Sequence, residues 1–139
     1  MTGSGSRHSD AWESPGFLLW HATLRWQRSM AEALEPLGLT HVQFVLLAST
    51  WWLCEHAGTD PMMTSQVART LVSKGLLVRE VDPDDGRAWR LRLTRAGTTL
   101  ARRAVAAVED ADSAYFDQVP SRHRGGMLAA LKELGGPRS

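Results

Sequence analysis

Between residues 60 and 71 the chain reads Asp60-Pro61-Met62-Met63-Thr64-Ser65-Gln66-Val67-Ala68-Arg69-Thr70-Leu71, and the rest of the sequence is arranged around this stretch. Asp60 can cap a helix, because its carboxylate accepts from the free amides of the first turn. Pro61 follows at the first helical position, where a missing N–H costs nothing. Thr64, Val67, Ala68 and Leu71 recur at helical spacing and are expected to face a core. Met62, Met63, Ser65, Gln66 and Arg69 fall on the opposite face, which holds one cation, one amide, two soft apolar groups and no acid. Such a face fits a DNA groove, and it also fits an ordinary amphipathic helix. The flanking sequence separates these two readings.

Upstream, Thr40-His41-Val42-Gln43 has the form of a capping box, with Thr40 bonding forward and Gln43 bonding back. The helix it opens is almost continuously apolar through Leu53 and is expected to be buried. Gly58-Thr59-Asp60 then makes a tight turn into the opening stretch, the layout of a helix-turn-helix. Downstream, Gly75 ends the helix, and Leu76, Val78 and, with slippage, Val81 mark a strand. Asp82-Pro83-Asp84-Asp85-Gly86 is strong turn chemistry. Residues 88–94 alternate strictly, with Trp89, Leu91 and Leu93 on one side and Arg90 and Arg92 on the other, as in a half-buried strand. A hairpin placed directly after such a helix, with Arg87 near its tip, is the wing of a winged helix.

Two longer helices frame this unit. Ser14 and Pro15 open the first, expected to reach about Leu37 before Gly38 ends it in a left-handed conformation. Its apolar residues cover more than one face, so it needs two partners, one of which can be another subunit. Thr94 caps the next helix, over about residues 95–118, on the order of 36 Å long at 1.5 Å per residue. Pro120-Ser121 starts a last helix with Met127, Leu128, Leu131 and Leu134 expected inward. Residues 1–14 read as a flexible tail, and 15–139 as a single domain, with framing helices over about 15–37 and 95–135 and the winged helix over about 39–94.

The charge distribution agrees with a polyanion partner. The 139 residues carry a net charge of only +1. Residues 66–103, however, hold nine Arg or Lys against four acids. A basic stripe on a near-neutral chain suits a local polyanion contact. The single cysteine, Cys54, allows no internal disulfide, and a reducing compartment follows most simply. Its neighbours Trp52 and Leu53 point to a packed thiol. The longest apolar run, Phe44 to Cys54, is too short to span a bilayer, and no apolar signal core implies export.

Catalysis has little support. His8, His21, His41, His56 and His123 show no paired metal spacing, and Cys54 and His56 would point to different helix faces. Asp82, Asp84 and Asp85 imitate part of a calcium loop, but the twelfth position from Asp82 is Leu93, not Glu. There is no phosphate-cradling glycine loop and no nucleophile elbow. The expectation is no enzyme, no metal and no cofactor.

Four segments, taken in order, resemble the MarR family of winged-helix transcriptional regulators. Leu39-Thr40-His41-Val42-Gln43-Phe44 is similar to the opening of the family's second helix. Gly75-Leu76-Leu77-Val78-Arg79 is similar to the exit from its recognition helix. Asp82-Pro83-Asp84-Asp85-Gly86-Arg87 is similar to its wing, with the pattern Asp, any residue, Arg. Leu91-Arg92-Leu93-Thr94-Arg95-Ala96-Gly97 is similar to the return strand and the next cap. Together they cover about residues 15–135.

The resemblance implies a mainly α fold with one β-hairpin, a winged helix-turn-helix carrying N- and C-terminal dimerisation helices. It implies a cytoplasmic, nucleoid-associated homodimer on double-stranded DNA, at a near-palindromic operator with half-sites about 34 Å apart. It further implies a pocket for a small aromatic effector, for which Trp20, His21 and Trp52 are the candidate walls. The DNA-contacting set is then Pro61, Met62, Met63, Ser65, Gln66, Arg69, Arg87 and Arg90. Gln66 can pair bidentately with adenine, and Ser65 can bond base or phosphate. The methionines can touch thymine methyls or pack at a helix contact. Arg69 suits a phosphate, and Arg87 suits a narrow minor groove. Asp85 would hold Arg87 in place, besides its part in the turn. A solvated face is the other reading of Arg90 and Arg92.

One segment departs from the family pattern. A short helix before the recognition helix is missing, with the gap near Leu53-Cys54. The alternative function is therefore a dimerising ligand-sensing or protein-interaction module with impaired DNA binding.

Overall fold

A computed structural model of the chain describes residues 10–56, 66–81, 84, 86 and 89–137, with residues 53–56 and 89 described in their backbone alone. The elements run in the order α1 (Pro15–Leu34), α2 (His41–His56), α3 (Gln66–Ser73), β1 (Leu77–Val81), β2 (Trp89–Leu93), α4 (Arg95–Phe116) and α5 (Ser121–Gly135). Short 3-10 turns at Ala11–Glu13 and Glu35–Leu37 flank α1.

Local chemistry sets these boundaries. The Ser14 hydroxyl accepts from the Phe17 amide at 3.4 Å, and Pro15 takes the first helical position. At the other end the expected long helix closes one turn early, in a 3-10 turn at Glu35-Pro36-Leu37. Gly38 follows at φ +70°. The Gly38 amide donates to the Glu35 carbonyl at 3.0 Å and the Leu39 amide to the Leu34 carbonyl at 3.4 Å, the paired bonds of a Schellman stop. The capping box forms as its residues dictate. The Gln43 amide donates to Thr40 Oγ1, and Gln43 Oε1 accepts from the Thr40 amide, both at 3.1 Å. Two orphan donors at the start of α2 are thereby satisfied.

The core lies between α4 and the winged-helix unit. Leu34, Leu39, Leu47, Leu71, Leu77 and Leu91 are buried against Ala101 and Ala104 of α4. Gly97 and Ala101 were not singled out by the apolar pattern, yet both are buried. Small residues let α4 approach closely. The two strands form an antiparallel hairpin in the register Leu77↔Leu93, Arg79↔Leu91 and Val81↔Trp89. Polar bonds tie α1 to α4: Trp26 Nε1 donates to Asp112 Oδ1 at 2.8 Å, and the Tyr115 hydroxyl to the Ala22 carbonyl at 3.1 Å.

Four expectations are corrected. The strand β1 buries Leu77, not Val78, because the Leu76 amide is still bonded to the Leu71 carbonyl at 3.0 Å, so the pleat begins one residue later. The helix α2 is not buried all round. It packs on α1, α3, α4 and β2, and Val42, Val45 and Trp52 face outward. The leucines of α5 are not inward within this chain: Leu128 and Leu134 are 54% and 74% exposed. Finally, within the stretch read as a tail, Asp10 caps the turn Ala11–Glu13, and Trp12 packs edge-on to Phe17 at 4.9 Å.

Candidate nucleic-acid interface

The helix α3 divides cleanly. Ala68 and Leu71 are buried and Val67 is half-buried, whereas Gln66, Arg69 and Ser73 are exposed at successive turns. Arg69 Nη1 lies 3.5 Å from Gln66 Oε1, a long contact that a base or phosphate could replace. The Ser73 and Thr70 hydroxyls turn back to the carbonyls of Arg69 and Gln66, so they add little polarity to the outer face.

Three features hold this face in position. First, Gly75 at φ +76° closes α3 with a second Schellman stop, in which the Gly75 amide donates to the Val72 carbonyl at 3.0 Å. Second, Lys74 Nζ reaches back to the Gly38 carbonyl at 2.8 Å and to Gln43 Oε1 at 3.4 Å, joining the end of α3 to the α1–α2 turn. Third, Thr94 fastens the hairpin to both of its neighbours. Its hydroxyl donates to the Gly75 carbonyl at 2.7 Å and accepts from the Gly97 amide at 2.9 Å, while its own amide donates to the Leu76 carbonyl at 3.1 Å. Gly97 is required there, because a Cβ would overlap the Leu76 carbonyl oxygen.

On the side of the hairpin away from Leu91, Glu80 stands directly opposite Arg90. Its carboxylate contacts Arg92 Nε at 2.9 Å and Arg90 Nη2 at 3.7 Å. Arg90 is half-buried beside Glu80, while Arg92 is exposed, so the solvated-face reading holds for Arg92.

Among the expected DNA-contacting residues, Gln66 and Arg69 lie together on α3, and Arg90 lies on the hairpin. Pro61, Met62, Met63, Ser65 and Arg87 lie outside the described residues, as does the wing-supporting Asp85. So does the proposed turn from Gly58 to Asp60. No further helix stands between α2 and α3 among the described residues. Sequence reading passed over Lys74, Thr94, Gly97 and Glu80 as parts of the site. The alternation of Val78 and Glu80 opposite Arg90 and Arg92 was the signal that could have found Glu80.

The candidate pocket residues do not share one cavity. Trp20 is 61% exposed. His21 packs against Trp12 and Phe17, at 4.8 and 4.4 Å between ring centres. Trp52 lines a depression of about 400 Å3 with Ala48, Ser49, Trp51, Val105 and Glu109, which takes in neither of the other two. An apolar cleft of about 350 Å3 opens elsewhere, between α1, α4 and α5, and Leu19, Trp26, Tyr115, Phe116, Met127 and Leu131 are among its walls. The Trp26 and Tyr115 polar ends are already bonded to Asp112 and Ala22, which leaves ring faces for the cleft. Among the described residues no cluster of three or more His, Cys, Asp or Glu could hold a metal, and no helix is long and apolar enough to cross a membrane.

Two packed helices with an outward amphipathic second helix, followed at once by a hairpin, define a winged helix-turn-helix protein. No family model matches the chain. It is similar, at 39% identity over 93% of its length and 95% of the relative's, to YdcH of Bacillus subtilis, an uncharacterized HTH-type transcriptional regulator. It is 30% identical, over 86% of its length and 92% of the relative's, to the HTH-type transcriptional repressor Rv2887 of Mycobacterium tuberculosis. The structure of Rv2887, a MarR family protein solved with salicylic acid, superposes with a TM-score of 0.68, covering 88% of this chain and 96% of that one at 29% identity. CouR from Rhodococcus jostii RHA1, solved with p-coumaroyl-CoA, gives a TM-score of 0.75 at 26% identity, covering 95% of this chain and 99% of that one. The chain belongs to the MarR family of helix-turn-helix transcriptional regulators.

Proposed function

We propose that the chain binds a near-palindromic double-stranded DNA site as a homodimer in the cytoplasm, as a regulator with no catalytic activity. Gln66 and Arg69 of α3 would face the major groove and Arg87 the minor groove beside the wing. The observation that carries this reading is the exposed, acid-free Gln66–Arg69 face, braced from behind by Leu71 and from the side by Lys74 and Thr94. Pro61, Met62, Met63 and Ser65 extend the same surface in this reading, with Asp85 holding Arg87.

Dimerisation is supported by the apolar side chains that one chain leaves open. Leu18, Leu19 and Trp20 of α1 and Leu128, Leu131 and Leu134 of α5 are all exposed. Exposed apolar surface of this extent on framing helices marks an interface. A second copy laid over α1 and α5 would close the neighbouring cleft into an apolar chamber. Rv2887 was solved with salicylic acid and CouR with p-coumaroyl-CoA. A small aromatic effector for this chain follows by analogy, with the Trp26 and Tyr115 rings as its walls.

The alignment with YdcH extends over 141 positions, more than the 139 residues of this chain, so the relative has residues without a counterpart here. In the second reading a chain with less support before α3 keeps dimerisation and effector binding while binding DNA weakly. Base substitution across the operator separates the two readings. Gln66→Ala should cost on the order of 1–3 kcal/mol at one base pair and leave the others unchanged. An equal loss on random DNA would make Gln66 structural, and absence of binding by the unaltered chain would leave the sensing module as the function.

A further inference from the structure

We infer that Glu80 is a specificity-setting residue of the wing, an internal anion that occupies Arg90 and Arg92 and keeps them from binding DNA phosphates indiscriminately. This rests on the reading of the hairpin as a DNA-contacting wing.

The geometry is that of one carboxylate shared between two guanidinium groups. Glu80 pairs with Arg90 directly across the hairpin and with Arg92 on the diagonal, and Val78, not an acid, stands opposite Arg92. The diagonal contact is the shorter, 2.9 Å against 3.7 Å, and diagonal neighbours are within reach of long side chains on a hairpin. Leu91 between the two arginines is buried, so Arg90, Arg92 and Glu80 share the opposite face. That face therefore presents a net charge of +1 from these three groups. Their side chains are 56%, 39% and 33% exposed for Arg92, Arg90 and Glu80, so solvent and phosphate can both reach them.

A half-exposed ion pair is weak. It does not lock the arginines. It makes them cheap to release where a phosphate is held at the correct place by the rest of the interface, and it discourages contacts where none is. An arginine released from Glu80, Arg92 above all, would strengthen binding to any duplex, since phosphate contacts carry no sequence information. The carboxylate thus lowers affinity for random DNA more than affinity for the operator.

The test measures binding of the full chain to random duplex and to its own upstream DNA across a salt series, for wild type, Glu80→Gln, Glu80→Asp, Arg92→Met and the double variant E80Q/R92M. Glu133→Gln, on the exposed side of α5, controls for the loss of one negative charge anywhere on the chain. Glu80→Gln keeps the side-chain shape, and an unchanged melting profile confirms that the hairpin is intact.

The expected result is random-duplex binding roughly fivefold to tenfold tighter near 0.1 M salt, with a log–log salt slope steeper by about one to two. The ratio of operator to random affinity falls. Glu80→Asp stays near wild type. Arg92→Met removes a large part of the gain in the Glu80→Gln background and has a smaller effect alone. The inference is overturned if wild type binds DNA but Glu80→Gln leaves random affinity and slope unchanged. It is also overturned if Glu133→Gln reproduces the effect, or if Arg92→Met removes none of it. If neither wild type nor variant binds DNA, the wing reading fails and the inference falls with it.

Discussion

Gly97→Ala tests the junction on which presentation of α3 depends. A Cβ at residue 97 would overlap the Leu76 carbonyl oxygen, lie 2.9 Å from the Leu76 carbonyl carbon, and meet Leu93 Cδ2 at 3.2 Å. The first two obstacles are backbone and cannot rotate away. Moreover, the same Leu76 oxygen accepts from the Thr94 amide, and Thr94 caps α4. Relief of the overlap must therefore separate the start of α4 from the exit of α3. Overpacking a tight site costs about 1–3 kcal/mol. Weakening the Thr94–Leu76 bond adds about 0.5–1.5 kcal/mol. Against this, alanine is favoured over glycine in a helix by up to about 1 kcal/mol. The net expectation is a loss of about 0.5–4.5 kcal/mol. Urea unfolding followed by tryptophan fluorescence measures it, at one fixed protein concentration because dimerisation contributes to apparent stability. Gly126→Ala is the internal control. Gly126 lies within α5 with nothing inside 4 Å of the added methyl, so the substitution should stabilise by up to about 1 kcal/mol. A Gly97→Ala protein as stable as wild type would refute the account of the junction.

Other outcomes follow from the same structure. Leu128→Glu with Leu131→Glu should give a folded monomer by light scattering, because both side chains are exposed in the single chain; an unchanged dimer would remove α5 from the interface. Thr40→Ala should cost about 1 kcal/mol of stability by removing the capping-box acceptor, read by urea unfolding. Arg87→Ala should weaken binding to all duplexes and reduce the salt slope by about one unit; an unaltered slope and affinity would take Arg87 out of the interface.

What was legible in the sequence was local. The Thr40–Gln43 box, the Ser14 cap, the glycine stops at 38 and 75 and the alternating strand Trp89–Leu93 each depend on residues within a few positions of one another. They formed as their chemistry required. Less legible was anything that needed knowledge of the partner. The apolar run of α2 did not tell that Val42, Val45 and Trp52 would face outward. Nor did the leucines of α5 tell that they would stand exposed in the single chain. Apolar periodicity marks a face to be buried without saying against what. The β1 register slipped by one because Leu76 is shared between the α3 stop and the strand. Gly97 and Ala101 carry too little hydrophobic signal to be picked as core, and their importance lies in the space they leave. The site brace was hidden for another reason. Lys74 to Gly38 and Trp26 to Asp112 join residues 36 and 86 positions apart, which no local pattern encodes.

The central claim is that α3 and the hairpin of this chain read DNA. The most direct measurement is fluorescence anisotropy of the full chain against the DNA upstream of its own gene and against random duplex, at two salt concentrations. Two chains are expected per site, with binding to the upstream DNA tighter than to random duplex by on the order of a thousandfold or more, and log affinity falling linearly with log salt. No binding to either duplex, or equal binding to both at each salt concentration, would contradict it.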